Sequence, residues 1–182
     1  MAAAAGTRRR GEALLEAVYA AALEEIAEHG LRGASMDRIA HRAATGKAAL
    51  YRRWPNVRAL ALDVFITTME SSQPSDHADS GCLRDDLLTS LIDFTASMRG
   101  PLGLVMRELM SEAAHDPSVV EEFQTRFGLP QQTLVVAQLQ RAMARGEIPT
   151  RAVDSYILEL PAAFVVHRML ISGGSPSEAE CT

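Results

Sequence analysis

Residues 45–58, TGKAALYRRWPNVR, gather side chains suited to a polyanion. Lys47 supplies a point charge, Arg52, Arg53 and Arg58 supply forked donors that match phosphate oxygens, and Tyr51 adds a hydroxyl. Ser35, Thr45 and Asn56 stand at the starts of short helical patterns, where they can bond a phosphate. Ala48 and Ala49 lie among the charges and are small, so a helix carrying them can approach base edges closely and a methyl can touch thymine. Lys47 is the only lysine of the chain, and it falls inside this run. The chemistry indicated is contact with the backbone and bases of duplex DNA.

The elements that must position these groups follow from caps and periodicity. The Ser35 hydroxyl can cap a helix whose Met36, Ile39, Ala40 and Ala43 share one face. Ala44, Thr45 and Gly46 break the pattern. A second helix, Lys47 to about Arg53, turns Leu50 and Trp54 inward and Lys47, Tyr51, Arg52 and Arg53 outward. A helix, a tight turn and a short basic helix is the layout that places its second helix in the major groove. Before it, residues 12–29 form an amphipathic helix with Leu14, Leu15, Val18, Ala22, Leu23 and Ile26 as its stripe, closed by Gly30, and this helix braces the unit. After it, Pro55 stops the recognition helix and Asn56 caps a fourth helix over residues 57–72, with Leu60, Val64 and Phe65 inward.

The stretch from Ser35 to Pro55 resembles the helix-turn-helix of TetR-family transcriptional regulators. The residues that carry the resemblance are Ser35, Ile39-Ala40, Ala43, Lys47, Leu50-Tyr51 and Trp54-Pro55. It implies that Thr45, Lys47, Ala48, Ala49 and Tyr51 form the face that reads DNA. Two positions depart from the family pattern. Ala44 replaces the usual Gly at a turn residue suited to positive φ, and Gly46 replaces the Ser that often caps the recognition helix. GPLGLVMRELMSEAAHDPSVVEEF and ELPAAFVVHRMLISGG are similar to the C-terminal regulatory domain of one branch of the family.

Bulk numbers agree with that reading and exclude others. The net charge of −5 over 182 residues argues against a nucleic-acid binder, but its distribution reverses the argument. Residues 1–58 hold ten Lys/Arg against six Asp/Glu, a net +4, and the remainder holds eight against seventeen, a net −9. The arginines of MAAAAGTRRR fit either a solvated tail or an arm on DNA phosphates or in the minor groove. With no apolar core after them, they do not make a signal peptide. Cys82 and Cys181 suggest no disulfide framework, so a reducing cytoplasm is expected, and no apolar run is long enough for a membrane span. Asp76, His77 and Asp79 lie in a polar loop over residues 73–81 and read as solvated rather than metal-binding. The five histidines show no metal spacing and no nucleophile partner, and the Gly46-Lys47 pair is a poor phosphate loop. No enzyme, metal or cofactor is expected.

The expected fold is all-α, with a helix-turn-helix domain over residues 1–55 and a helical regulatory and dimerisation domain over 56–182. Helical patterns run over residues 83–99, 102–114, 117–145 with a break near Gly128–Pro130, and 151–172 with a kink at Pro161. Phe65, Met69, Leu91, Phe94, Met98, Met106, Met110, Phe123 and Phe127 are candidates to line a pocket for a small apolar effector, although residue by residue ordinary core is the better reading. Arg107, Glu108 and His115 are candidate polar partners for it. Leu134, Leu139 and Met143 on one helix, with Ile157, Phe164 and Leu170 on the next, are candidates for a homodimer interface. The expected function is a TetR-like, ligand-responsive repressor of a double-stranded DNA operator. The rival reading is a helical ligand-binding or interaction dimer without DNA binding.

Overall fold

The computed structural model describes residues 2–72, 79–149 and 155–171. Among these residues the chain is helical, with no strand. The first helix, α1 (Ala2–Gly33), begins well before Glu12 and bends at Gly30, which adopts φ 68° and ψ 168°. A Cβ at Gly30 would stand 3.3 Å from the Glu108 carboxylate, so both the dihedral and the close approach favour glycine there. The side chains of Arg8, Arg9 and Arg10 lie outside the described residues, as do Asp76, His77, Thr150 and Cys181.

Next come α2 (Met36–Arg42), α3 (Lys47–Tyr51) and α4 (Val57–Ser72). The body is built from α5 (Leu83–Ser97), α6 (Pro101–Ala113), α7 (Pro117–Phe123), α8 (Leu129–Arg145) and α9 (Ser155–Leu170), which contains Pro161. Pro101 and Pro117 occupy first helical positions, where the missing N–H is not needed. The expected break near Gly128–Pro130 is absent. Residues Gln124–Gly128 instead form one wide π-helical turn with helical dihedrals, which carries α7 into α8 without an interruption. A wider turn is a way to pass a proline that cannot donate its backbone N–H.

Two cores result. The front core joins Val18, Ala21 and Ala22 of α1 to Met36, Ile39 and Ala40 of α2, then to Leu50, Trp54, Leu60 and Val64. The body core joins Ile26 and Leu31 to Leu62, Phe65, Ile66 and Met69 of α4 and to Val105, Met106 and Leu109 of α6, with Phe123, Phe127, Val165 and Met169. Both α1 and α4 therefore contribute to both cores. The bend at Gly30 is fastened to the body by the Leu31 N–H, which donates to Glu108 Oε2 at 2.8 Å, and by the Arg32–Glu112 ion pair. Glu108 thus works as an anchor for α1. Asp79, read from sequence as solvated, pairs with Arg145 at 2.7 Å and Arg141 at 3.6 Å.

Candidate nucleic-acid interface

The first helix of the motif starts as its cap requires. Ser35 Oγ accepts the Asp37 N–H at 3.2 Å, and the Ser35 N–H donates to Glu25 Oε1 at 3.2 Å. Glu25 is fully buried, and its charge is met by Arg38 Nε at 2.5 Å and Arg42 Nε at 3.5 Å. One carboxylate on α1 thereby fixes the start and one face of α2. Glu25, Glu28 and His29 bring ligand-type atoms within 4.8 Å of one another, but Arg38 and Arg42 already balance the carboxylates.

The turn behaves as the sequence departure implied. Ala44 has φ 49°, the left-handed region that a Cβ penalises, and the Thr45 N–H returns to Ala40 O at 2.9 Å. Gly46 is extended and gives α3 no side-chain cap. Leu50 and Trp54 are buried beneath α3. Gly46, Lys47, Ala48, Tyr51, Arg52 and Arg53 are exposed, with Tyr51 50% exposed, while Thr45 and Ala49 are half-buried.

The cations of this face differ in their partners. Lys47 pairs with Asp37 across the turn. Arg53 lies over the Trp54 ring, 4.9 Å from its centroid, and 3.9 Å from Asp63. The Arg52 guanidinium has no hydrogen bond or ion pair among the described residues, and only its backbone N–H is engaged, by Ala48 O at 3.3 Å. Asn56 Oδ1 accepts the Ala59 N–H at 2.9 Å and caps α4. Arg58 is held by Asp116, the residue that caps α7, so it ties α4 to the body rather than standing free. The Ser118 contacts, then Arg58, hold the Asp116 carboxyl below its usual range.

Sequence reasoning missed a junction behind the face. Asp63 Oδ2 accepts the Tyr19 hydroxyl at 2.8 Å and Trp54 Nε1–H at 2.9 Å, and Oδ1 accepts Arg126 Nη2–H at 2.6 Å. Burial opposes the Asp63 charge, yet the three donors hold its carboxyl below the usual range. Burial likewise raises the Tyr19 hydroxyl, which stays a donor. A cleft of about 400 Å³ opens beside this junction, lined by Arg53, Arg58 and Arg126 among others. The available signal was an acid one turn from Leu60 and next to Leu62 in an otherwise apolar stretch of α4, and another, Glu25, beside Ile26 on the stripe of α1.

The nine effector-pocket candidates come together in one cluster. Phe65, Met69, Met98, Met106, Phe123 and Phe127 are buried, and Leu91, Phe94 and Met110 pack against them half-buried. The rings fill much of the space: Phe65 is 5.0 Å from Phe127 and 5.7 Å from Phe123, centroid to centroid. The interface candidates do not stay together. Leu139 is buried within the body on α8, as core, which corrects its assignment to the interface. Leu134 and Met143 are half-buried, Phe164 and Leu170 are exposed, and the Ile157 side chain lies outside the described residues. The larger exposed apolar surface here is Leu160 and Phe164 of α9 with Ile171 just after it, whose spacing puts them on one face. Among the described residues no helix is long and apolar enough to cross a membrane.

Comparison with known proteins places this geometry. Residues 18–64 match the family model "Bacterial regulatory proteins, tetR family", a range that runs from the start of the front core to Val64. Residues 77–182 match "Tetracyclin repressor-like, C-terminal domain". The uncharacterised regulator YdeS of Bacillus subtilis, of the HTH type, is 27% identical over 172 residues, covering 94% of this chain and 86% of that one. The uncharacterised HTH-type transcriptional regulator Mb1581 of Mycobacterium bovis is 30% identical over 161 residues, covering 88% and 78%. Among solved structures, the TetR family transcription regulator SCO0332 superposes with a TM-score of 0.72 at 27% identity, covering 92% of each chain.

Proposed function

The chain belongs to the TetR family of bacterial regulatory proteins, DNA-binding transcriptional regulators without enzymatic activity, and on that premise we propose a homodimeric repressor that a small apolar effector releases from its operator. Residues 1–55 act as the DNA-binding unit and 56–182 as the regulatory and dimerisation unit. The observation that carries the reading is the sidedness of α3: Lys47, Ala48, Tyr51 and Arg52 face outward while Leu50 and Trp54 anchor it. Arg52, Arg53, Lys47 and Tyr51 hold phosphates, with Ser35, Thr45 and Asn56 at helix starts, and Gly46, Ala48 and Ala49 let the backbone close on base edges. Lys47 exchanges Asp37 for phosphate on binding. That role places the chain in the cytoplasm.

Dimerisation rests on the exposed Leu160, Phe164 and Ile171 stripe, together with the sequence candidates Leu134, Met143, Ile157 and Leu170. Two copies packed there present two α3 helices to successive major grooves, about 34–36 Å apart. The effector enters the phenylalanine and methionine cluster, whose methionines re-pack easily. Effector and DNA then oppose each other through a coupling energy of about 1–3 kcal/mol.

The rival reading, a helical dimer that has lost DNA binding, draws on the strained Ala44 and the uncapped start of α3. A gel-shift titration on the duplex upstream of the protein's own gene, repeated across salt concentrations, separates the two. Binding that weakens steadily with salt supports the regulator. Absence of any salt-dependent binding supports the rival.

A further inference from the structure

We infer that Arg126 is a positioning residue for the recognition helix, acting from the body through Asp63 on Trp54. The inference rests on the DNA-binding reading above for its functional consequence, not for the link itself.

Trp54 closes the recognition segment: its backbone N–H returns to Leu50 O at 2.8 Å, and the residue is only 6% exposed. A buried indole N–H needs an acceptor, and here the acceptor is Asp63 Oδ2, shared with the Tyr19 hydroxyl. The orientation of that carboxylate therefore sets both α1 and the end of α3. Its other oxygen, Oδ1, is held by Arg126 at 2.6 Å. Without Arg126 the nearest guanidinium is Arg53, at 3.9 Å, and a swing toward it would draw Oδ2 from Trp54.

The location of Arg126 makes the link informative. It lies in the π-helical turn Gln124–Gly128, beside Phe127, whose ring packs edge-on against Phe65 in the body core. Packing of that cluster therefore determines where the guanidinium points. Its other partner, Glu122 at 3.5 Å, lies one turn away on the same helix and bonds nothing in the front unit among the described residues. Local π turns are frequent at functional positions, because a small change in the turn re-aims a side chain. The connection from the phenylalanine cluster to the reading head is then Phe127, Arg126, Asp63, Trp54.

Trp54 is the only tryptophan, so it reports on the link directly. The test compares the full chain with Arg126→Ala, Arg126→Lys, Glu122→Ala and Arg52→Ala, by tryptophan emission and by affinity for the upstream duplex across a salt series. Arg126→Ala should shift Trp54 emission and weaken DNA binding about tenfold, as loss of one charge-assisted bond would, with the salt slope unchanged. Arg126→Lys should restore most of both. Glu122→Ala should leave emission as it was. Arg52→Ala should lower the slope by about 1 without moving the emission. A fall in slope for Arg126→Ala would make Arg126 a phosphate contact and overturn the inference, as would unchanged emission. Should the parent chain bind no duplex, the DNA-binding reading falls, while the emission of Arg126→Ala still decides the link.

Discussion

The front core and the body core share α1 and α4 but are held by different forces. In the front, small residues such as Ala21, Ala22 and Ala40 bring helices close, and charged groups fix their angles: Glu25 against Arg38 and Arg42, Asp63 against Tyr19 and Trp54. In the body, phenylalanines and methionines fill the volume around Phe65. Directional bonds admit one arrangement, whereas flexible apolar packing admits several of similar energy. The contrast suits a reading head that must keep its shape, mounted on a body that must be able to change.

The largest expected effects test that contrast. Phe65→Ala removes a fully buried ring in contact with Phe123 and Phe127, and should destabilise the fold by about 3–5 kcal/mol in chemical denaturation. Glu25→Ala removes an anchor of the front, and should cost about 2–3 kcal/mol because the Ser35 N–H and two arginines lose a charged acceptor. If Phe65→Ala cost under about 1 kcal/mol, the body would close up around the space its ring fills. If Glu25→Ala cost nothing, the front would be held by apolar packing like the body, and the distinction would disappear.

The turn offers a smaller change of opposite sign. Ala44 at φ 49° is strained by its Cβ, so Ala44→Gly should stabilise the chain by about 0.5–1 kcal/mol, net of the backbone entropy glycine loses on folding. A higher melting temperature with equal or tighter DNA binding would show that the strain is incidental. A stabilised chain that binds DNA less well would show that the strained turn holds α3 at its working angle.

The two cores also differ in how far they could be read from the chain. Ser35, Leu50, Trp54 and Asn56 were legible because a cap or an inward position depends on neighbours within a turn or two, and even the positive φ at Ala44 could be anticipated from its place in the motif. Glu25 and Asp63 were not legible. A carboxylate on an apolar stripe has no assignable role until its partners are known, and Arg126 is 63 residues from Asp63. In the body, composition was enough to collect nine residues into one cluster, but not to separate Leu139, which packs inward, from Leu160, which faces out. Leu139 lies on an amphipathic helix and Leu160 on one that is apolar nearly all round, and only the placement of each helix against its neighbours says which leucine is covered.

Acid should affect the joint between the cores in a recognisable way. Asp63 has a depressed carboxyl in the folded chain, so its contribution is complete above the unfolded value of about 3.9 and is lost as pH falls through the folded value. Asp86, on α5, is also held low, chiefly by its bonds to Ser80. Both losses reduce stability below about pH 4, but only Asp63 touches Trp54. Tryptophan emission should therefore change below that pH, and Asp63→Asn should remove that step while the acid loss of helix signal, followed by circular dichroism, persists. An emission profile unaltered by Asp63→Asn would assign the step to other carboxylates.

The smallest effect separates two arginines that sequence alone treats alike. The Arg52 side chain is exposed at the end of α3 and its guanidinium has no hydrogen bond or ion pair among the described residues, so it has nothing to give up when it meets a phosphate. Arg58 must first leave Asp116, which caps α7. A paired cation releases fewer counterions on binding DNA, because part of its charge is already neutralised. Arg52→Ala should therefore lower the salt slope by about 1, and Arg58→Ala by clearly less. Arg58→Ala should instead lower stability slightly, as expected for a partly exposed pair. Equal slope changes would mean that Arg58 leaves the body on binding. The joint between α4 and α7 would then open when the protein meets DNA, and the two regions would no longer divide into a fixed head and an adaptable support.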